Sequence, residues 1–151
     1  MEQSSKTLTF VVPAYNMETY LERCVESLLS ATDNSDIEVL IVDDGSSDGT
    51  PELADMYERR WPGNVRAIHQ VNKGHGGAVN TGIANATGMY VKVVDADDWV
   101  DMPSIDTLMG TLRVQRVATD PVDMIVTNYV YDKVGKRVKH TVNFRHAMAA
   151  N

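Results

Sequence analysis

The chain has 151 residues, 43% of them hydrophobic and 23% charged, which suits one packed domain spanning 1–151 and excludes a disordered or fibrous chain. Acidic residues outnumber basic ones 21 to 14, and a formal net charge of -7 gives no footprint for a nucleic-acid backbone, so nucleic acid is not an expected partner. The polar opening Met1 to Lys6 lacks a signal peptide's apolar run, and no segment approaches the ~20 apolar residues of a membrane helix, so the default location is the cytoplasm.

Thr7 to Val12 is a short, β-branched apolar run closed by Pro13-Ala14-Tyr15-Asn16, which predicts a buried strand entering a loop. Asn16 is the expected cap of a helix whose apolar positions Leu21, Val25, Leu28 and Leu29 recur at helical spacing. Cys24, the one cysteine, sits within that pattern and reads as a small core residue that forms no intrachain disulfide. Ile37 to Val42 predicts a second strand and Asp43 to Asp48 a polar loop. Thr50-Pro51 supplies the cap and first residue of a helix reaching about Arg60, which Trp61-Pro62-Gly63 ends. Val65 to Val71 predicts a third strand, Gly76 to Ala86 a short helix of small residues stopped by Gly88, and Met89 to Val94 a fourth strand.

Pro103 then opens a helix with Ile105, Leu108, Met109 and Leu112 on one face, followed by an apolar run from Met124 to Tyr131. Lys133 to Lys136 predicts a hairpin turn with Gly135 at positive φ, and Val138 to Phe144 the returning strand. The tail Arg145 to Asn151 carries no core pattern and is expected to fray. Alternating strands and helices predict an α/β fold: a mostly parallel sheet with helices on both faces, to which the late hairpin can add antiparallel strands.

Ligands of such sheets sit at the carboxyl ends of the strands, where three polar clusters fall: Pro13 to Asn16, Asp43 to Asp48 and Asp95 to Asp98. Acidic groups crowded on one edge repel one another unless a cation or a donor-rich ligand joins them. In extended backbone Asp95 and Asp97 would point to the same side, and hard oxygen ligands of this kind suit Mg²⁺ or Mn²⁺ and, through it, a diphosphate. The plainer alternative is a solvated acidic turn in which Asp101 caps the helix at Pro103.

Asp44 to Gly49 partly imitates a calcium loop, but a strand precedes it and Asp55 stands where that loop needs glutamate. Asn72-Lys73-Gly74-His75-Gly76-Gly77 invites a phosphate-loop reading, with Lys73 pairing to an anion. Its spacing nevertheless fits neither the Walker sequence nor the dinucleotide fingerprint. Lys73 and His75 also read as plain exposed loop residues, His69 as a strand-face residue, and His140 and His146 show no metal-ligand spacing.

In their order and spacing, three segments resemble family 2 glycosyltransferases of the GT-A fold, a Rossmann-like sheet. They are Val11-Val12-Pro13-Ala14-Tyr15-Asn16 with Glu18, Val42-Asp43-Asp44-Gly45-Ser46-Ser47-Asp48-Gly49-Thr50, and Val94-Asp95-Ala96-Asp97-Asp98. Asn80-Thr81-Gly82-Ile83 resembles the family's third helix, although Ala78-Val79 stands where many members carry an Ala-Arg pair. The resemblance implies a nucleoside-diphosphate sugar, by preference a UDP-sugar, held at base and ribose by Pro13, Ala14, Tyr15 and Asp44 with help from Glu18. It places Lys73 near the nucleotide, Asp97 on the metal, and Asp95 beside it on ribose or metal.

It further implies inverting transfer, with Asp95 and Asp97 serving the catalytic metal, to a glycan or lipid-linked acceptor. The family's general base lies farther along the chain than Asn151, so these 151 residues are expected to bind donor and metal without robust transfer. Truncation would expose apolar surface and favour a homodimer, and the full-length protein could sit at the inner face of the membrane. A nucleotidyltransferase and a non-catalytic nucleotide-sugar-binding domain are the competing readings; the first should carry a basic, glycine-rich loop after strand one, which Pro13 to Asn16 is not.

Overall fold

A computed structural model describes residues 6–133, 135 and 137–145, which fall into two compact units, Met1–Ala118 and Thr119–Asn151. The first holds four parallel strands: β1 (Leu8–Ala14), β2 (Ile37–Asp43), β3 (Val65–His69) and β4 (Tyr90–Val93), in the order β3-β2-β1-β4. Every residue of β1 and β2 is buried, as their apolar, β-branched sequences require of central strands covered on both sides. β1 runs in register with β2 from Leu8 against Ile37 to Ala14 against Asp43, and with β4 from Leu8 against Tyr90 to Val11 against Val93. Chain order therefore reverses at β1, the kind of switch point beside which parallel sheets bind ligands.

The strands alternate with α1 (Leu21–Leu28), α2 (Thr50–Arg60), α3 (Gly74–Asn85) and α4 (Met102–Arg116). On one face Val11 and Val42 pack with Ala78 of α3, and Gly82 of that helix lies so near Val11 that any Cβ there would overlap its side chain. Asp43 and His69 look to the opposite face, where His69 meets Asp55 of α2. Helices thus cover both faces. α1 buries Leu21, Cys24, Val25 and Leu28, and the fully buried Tyr57 of α2 donates its hydroxyl to Glu26 of α1 at 3.1 Å. Full burial of such aliphatic side chains stabilises by about 1.5–3 kcal/mol each.

Asn16 does not cap α1. It adopts a left-handed φ of 54°, a turn over residues 17–20 intervenes, and its side-chain oxygen accepts from Ser47 N instead. Thr50 likewise lies inside α2, and its hydroxyl accepts from Met17 N, so inter-loop bonds took both expected caps. Asp101 does cap α4, accepting from Ser104 N at 3.0 Å. β3 stops at His69, earlier than expected; Gln70, the next residue, turns its side chain to Asp44, and α3 also begins earlier than expected, at Gly74.

The second unit contains an antiparallel pair, β5 (Tyr129–Tyr131) and β6 (His140–Val142), with Gly135 at φ 78° as expected. These strands pair with each other and make a separate sheet among the described residues, shorter than the apolar runs suggest, since Met124 and Val126 are exposed. Val134 and Lys136 of the expected turn, and the expected frayed tail from His146 to Asn151, lie outside the described residues.

Candidate functional site

The loops after β1 and β2 are laced together at the carboxyl edge of the sheet. Pro13 and Ala14 are buried at the end of β1, and Ala14 O accepts from Asp44 N at 2.9 Å. Beyond them Tyr15 turns out, 49% exposed, a flat ring able to meet a ligand. Asn16 N donates to Ser46 Oγ at 2.9 Å while its Oδ1 accepts from Ser47 N at 2.9 Å. Glu18 N donates to Asp48 Oδ2 at 3.1 Å, and Glu18 Oε2 accepts from Gly49 N at 3.0 Å, so this carboxylate is engaged in holding the second loop.

Asp43 and Asp44 face opposite ways, as adjacent strand residues must. Asp43 Oδ1 accepts from Ser46 N at 3.0 Å, and its Oδ2 lies 3.0 Å from His69 Nδ1; the other ring nitrogen of His69 lies 3.0 Å from Asp55 Oδ1. Hydrogen bonds to Asp43 and then Asp55 raise the His69 pKa above its ordinary value, because only the imidazolium can donate to both carboxylates.

Asp44 is buried. Its Oδ1 accepts from Gln70 Nε2 at 2.6 Å and from Lys73 N at 2.8 Å, and Thr81 Oγ1 of α3 donates to Gln70 Oε1 at 2.6 Å. Burial pushes the Asp44 carboxyl pKa up, but the hydrogen bonds from Gln70 and from the Lys73 and Gly74 amides outweigh it, and the pKa is lowered. Lys73 is exposed, and it is its backbone amide that touches Asp44.

Asp95 to Asp98 form a tight turn closed by Asp98 N donating to Asp95 O at 2.9 Å, so extended backbone does not orient the two acids, as the two-residue spacing suggested. Ala96 is buried, and Asp95, Asp97 and Asp98 stand exposed around it. Partial burial, then the charges of Asp97 and Asp95, raise the Asp98 carboxyl pKa. His75, in the first turn of α3, is exposed yet places Nε2 2.8 Å from Asp95 Oδ1. α1 steadies the turn from behind: Ser27 Oγ accepts from Val100 N at 3.1 Å, and the Arg23 guanidinium carbon sits 3.4 Å from the centre of the Trp99 ring. Cys24 is buried there, and burial, then Asp98, Asp97 and Asp95, raise its thiol pKa to about 12, which removes it as a nucleophile.

The structure thus collects Pro13, Ala14, Tyr15, Glu18, Asp44, Lys73, Asp95 and Asp97 on one edge of one unit. Gln70, Thr81 and the His75–Asp95 contact were not anticipated as parts of it. Gln70 and Thr81 carry only one signal in the sequence, their nearness to the end of a strand and to an expected helix. Among the described residues no helix is long and apolar enough to cross a membrane.

A parallel α/β sheet that gathers acidic loops at the carboxyl edge beside its switch point is the arrangement of GT-A glycosyltransferases, and solved structures of that class superimpose on this chain. TarS of S. aureus, solved in complex with UDP-GlcNAc, is 26% identical with a TM-score of 0.65 over 73% of this chain and 32% of its own. The mannosyltransferase PcManGT of Pyrobaculum calidifontis, in complex with GDP-Man and Mn²⁺, is 27% identical with a TM-score of 0.62 over 74% of this chain and 32% of its own. Among sequence relatives, glycosyltransferase GlyG of Streptococcus pneumoniae is 40% identical over 85% of this chain and 41% of its own length. The model of glycosyl transferase family 2 matches residues 9–148, and the chain belongs to that family. It spans less than half the length of the first relatives it matches.

Proposed function

We propose that this chain binds a nucleoside-diphosphate sugar, by preference a UDP-sugar, as the donor-binding part of a metal-dependent, inverting glycosyltransferase. The observation that carries the reading is the physical joining of three loops at one sheet edge: Asp44 held by Lys73 N, and His75, two residues on, holding Asp95. These contacts link a buried carboxylate to an exposed acidic turn, an order that suits a ligand with a nucleobase at one end and a charged diphosphate at the other. Pro13, Ala14 and Tyr15 wall the base and ribose side, with Glu18 keeping the second loop closed upon it.

The donor set of the turn fits a divalent cation. Its carboxylates are hard oxygen ligands, and three of them, Asp95, Asp97 and Asp98, stand exposed in one turn. Among the described residues no group of three or more His, Cys, Asp or Glu side chains is placed to hold a metal ion; Mg²⁺ binds through one or two carboxylates and completes its shell with phosphate oxygens and water. Asp97 would be the direct ligand and Asp95 its neighbour on ribose or metal, with Lys73 near the diphosphate. A bound cation would neutralise charge on the departing nucleoside diphosphate. The chain's own residues hold and orient the donor, while an acceptor hydroxyl, on a glycan or lipid-linked molecule, attacks the anomeric carbon and gives its proton to a carboxylate base.

The test is calorimetric titration of UDP with and without Mn²⁺ on the wild type and on Asp97→Ala. Metal-dependent binding that the substitution abolishes is the expected result; absence of UDP binding in both conditions overturns the reading.

A further inference from the structure

We infer that Gln70, held by Thr81, is a positioning residue that sets nucleobase selectivity through Asp44; the inference rests on the donor-site reading above. Asp44 Oδ1 accepts from Gln70 Nε2 at 2.6 Å and from Lys73 N at 2.8 Å, and the Gly74 amide adds a further hydrogen bond to the carboxylate. A side-chain amide offers two faces, and which one meets Asp44 is decided by Thr81, whose hydroxyl donates to Gln70 Oε1 at 2.6 Å and so turns Nε2 toward the carboxylate.

The relay has two consequences. It keeps Asp44 ionised despite burial, and it fixes the rotation of the carboxylate, so that its remaining lone pairs offer an acceptor in a set direction. An ionised, rotationally fixed acceptor accepts from a base that carries a ring N–H beside a carbonyl, as uracil and guanine do. It repels a base whose ring nitrogen is itself an acceptor there, as in cytosine. Selectivity of this kind is strong because the mismatched base leaves a buried charge facing a lone pair.

Gln70 and Thr81 act only through Asp44, so the readout is a ratio. Titrating UDP, GDP and CDP in Mn²⁺ into the wild-type chain, Gln70→Leu, Thr81→Val and Thr81→Ser, with thermal melting as a check on folding, separates the cases. The wild type is expected to bind a ring N–H base at least tenfold more tightly than CDP. Gln70→Leu should lower that affinity about tenfold or more, the cost of losing a hydrogen bond to a charged group, and bring the ratio to CDP toward one. Thr81→Val should do the same more weakly, and Thr81→Ser should restore the wild-type ratio.

Tighter binding of GDP than UDP supports the relay and replaces uridine with guanosine in the donor. Folded Gln70→Leu and Thr81→Val chains that keep the wild-type ratio overturn the relay and leave the donor site standing. A wild type that binds the three nucleotides equally overturns the relay alone, and one that binds none of them overturns both.

Discussion

The two ends of the site are built in opposite ways. Around Asp44 the protein satisfies a buried carboxylate itself, with a side-chain amide and backbone N–H groups, so the charge is fixed in place before any ligand arrives. Around Asp97 it does the reverse, gathering three exposed carboxylates in one turn, where His75 meets Asp95. A preorganised acceptor suits recognition of a neutral base, where the gain lies in avoiding reorganisation. An acidic turn with unspent charge suits a cation that comes and goes with its diphosphate. The difference also predicts where substitutions cost stability and where they cost only binding.

The sharpest break is Asp44→Ala, which removes the acceptor and leaves the part-buried Gln70 Nε2 and Lys73 N donors without their partner. That costs about 2–3 kcal/mol, which for a chain of this size lowers the melting temperature by roughly 5–10 °C, measurable by calorimetry or circular dichroism. A melting point unchanged within a degree would mean that Asp44 is not held as described. Next comes His69, which ties β2 to α2 through Asp43 and Asp55. Its folded pKa is raised, so its stabilisation is fully present below the ordinary value of 6.5 and is lost as pH rises through the raised folded value. The melting temperature should therefore fall as pH rises from about 6 to 8, and His69→Gln should flatten that slope. An equal slope in the variant would remove His69 as its source.

How much of this was legible in the sequence follows the same division. The strands, the helices and the three polar clusters announce themselves because apolar periodicity and acidic spacing are local properties, and their order carries the resemblance to the GT-A family. What the sequence hid are bonds between segments far apart in the chain. Asn16 and Thr50 look like helix caps because their types favour caps, yet each is claimed by the other's loop across about thirty residues. Gln70 gave no sign of its bond to Asp44, since an amide past a strand end has no periodic signature. His75 read as exposed and is exposed, but its partner in the acidic turn is twenty residues on, brought near only by the β1–β4 pairing. Asp95 and Asp97 are arranged by a tight turn and not by the extended strand that their two-residue spacing suggested.

At the acidic end the expected effects on stability shrink to nothing while those on binding remain. Asp97→Ala removes an exposed carboxylate and relieves repulsion on Asp98, so the metal-free chain should melt within about a degree of the wild type, as surface substitutions do. Mn²⁺ with UDP should raise the wild-type melting temperature by mass action and leave the variant's unchanged. A large loss of stability in the metal-free variant would make Asp97 a structural residue and erase the contrast with Asp44.

The smallest effect is expected from His75→Ala. Both partners of its contact are more than half exposed, so the bond adds little to folding, and no change in melting temperature should be seen. The contact nevertheless restricts Asp95 to one orientation beside Asp97, and groups that orient metal-site carboxylates typically matter about tenfold or more for affinity. Calorimetry should accordingly show Mn²⁺-dependent UDP binding weakened by about tenfold in His75→Ala, with His75→Gln recovering part of it because an amide N–H can still reach Asp95. If the alanine variant binds as the wild type does, the acidic turn needs no orienting partner. The linkage between the two ends of the site would then run through Lys73 and the backbone of α3 alone.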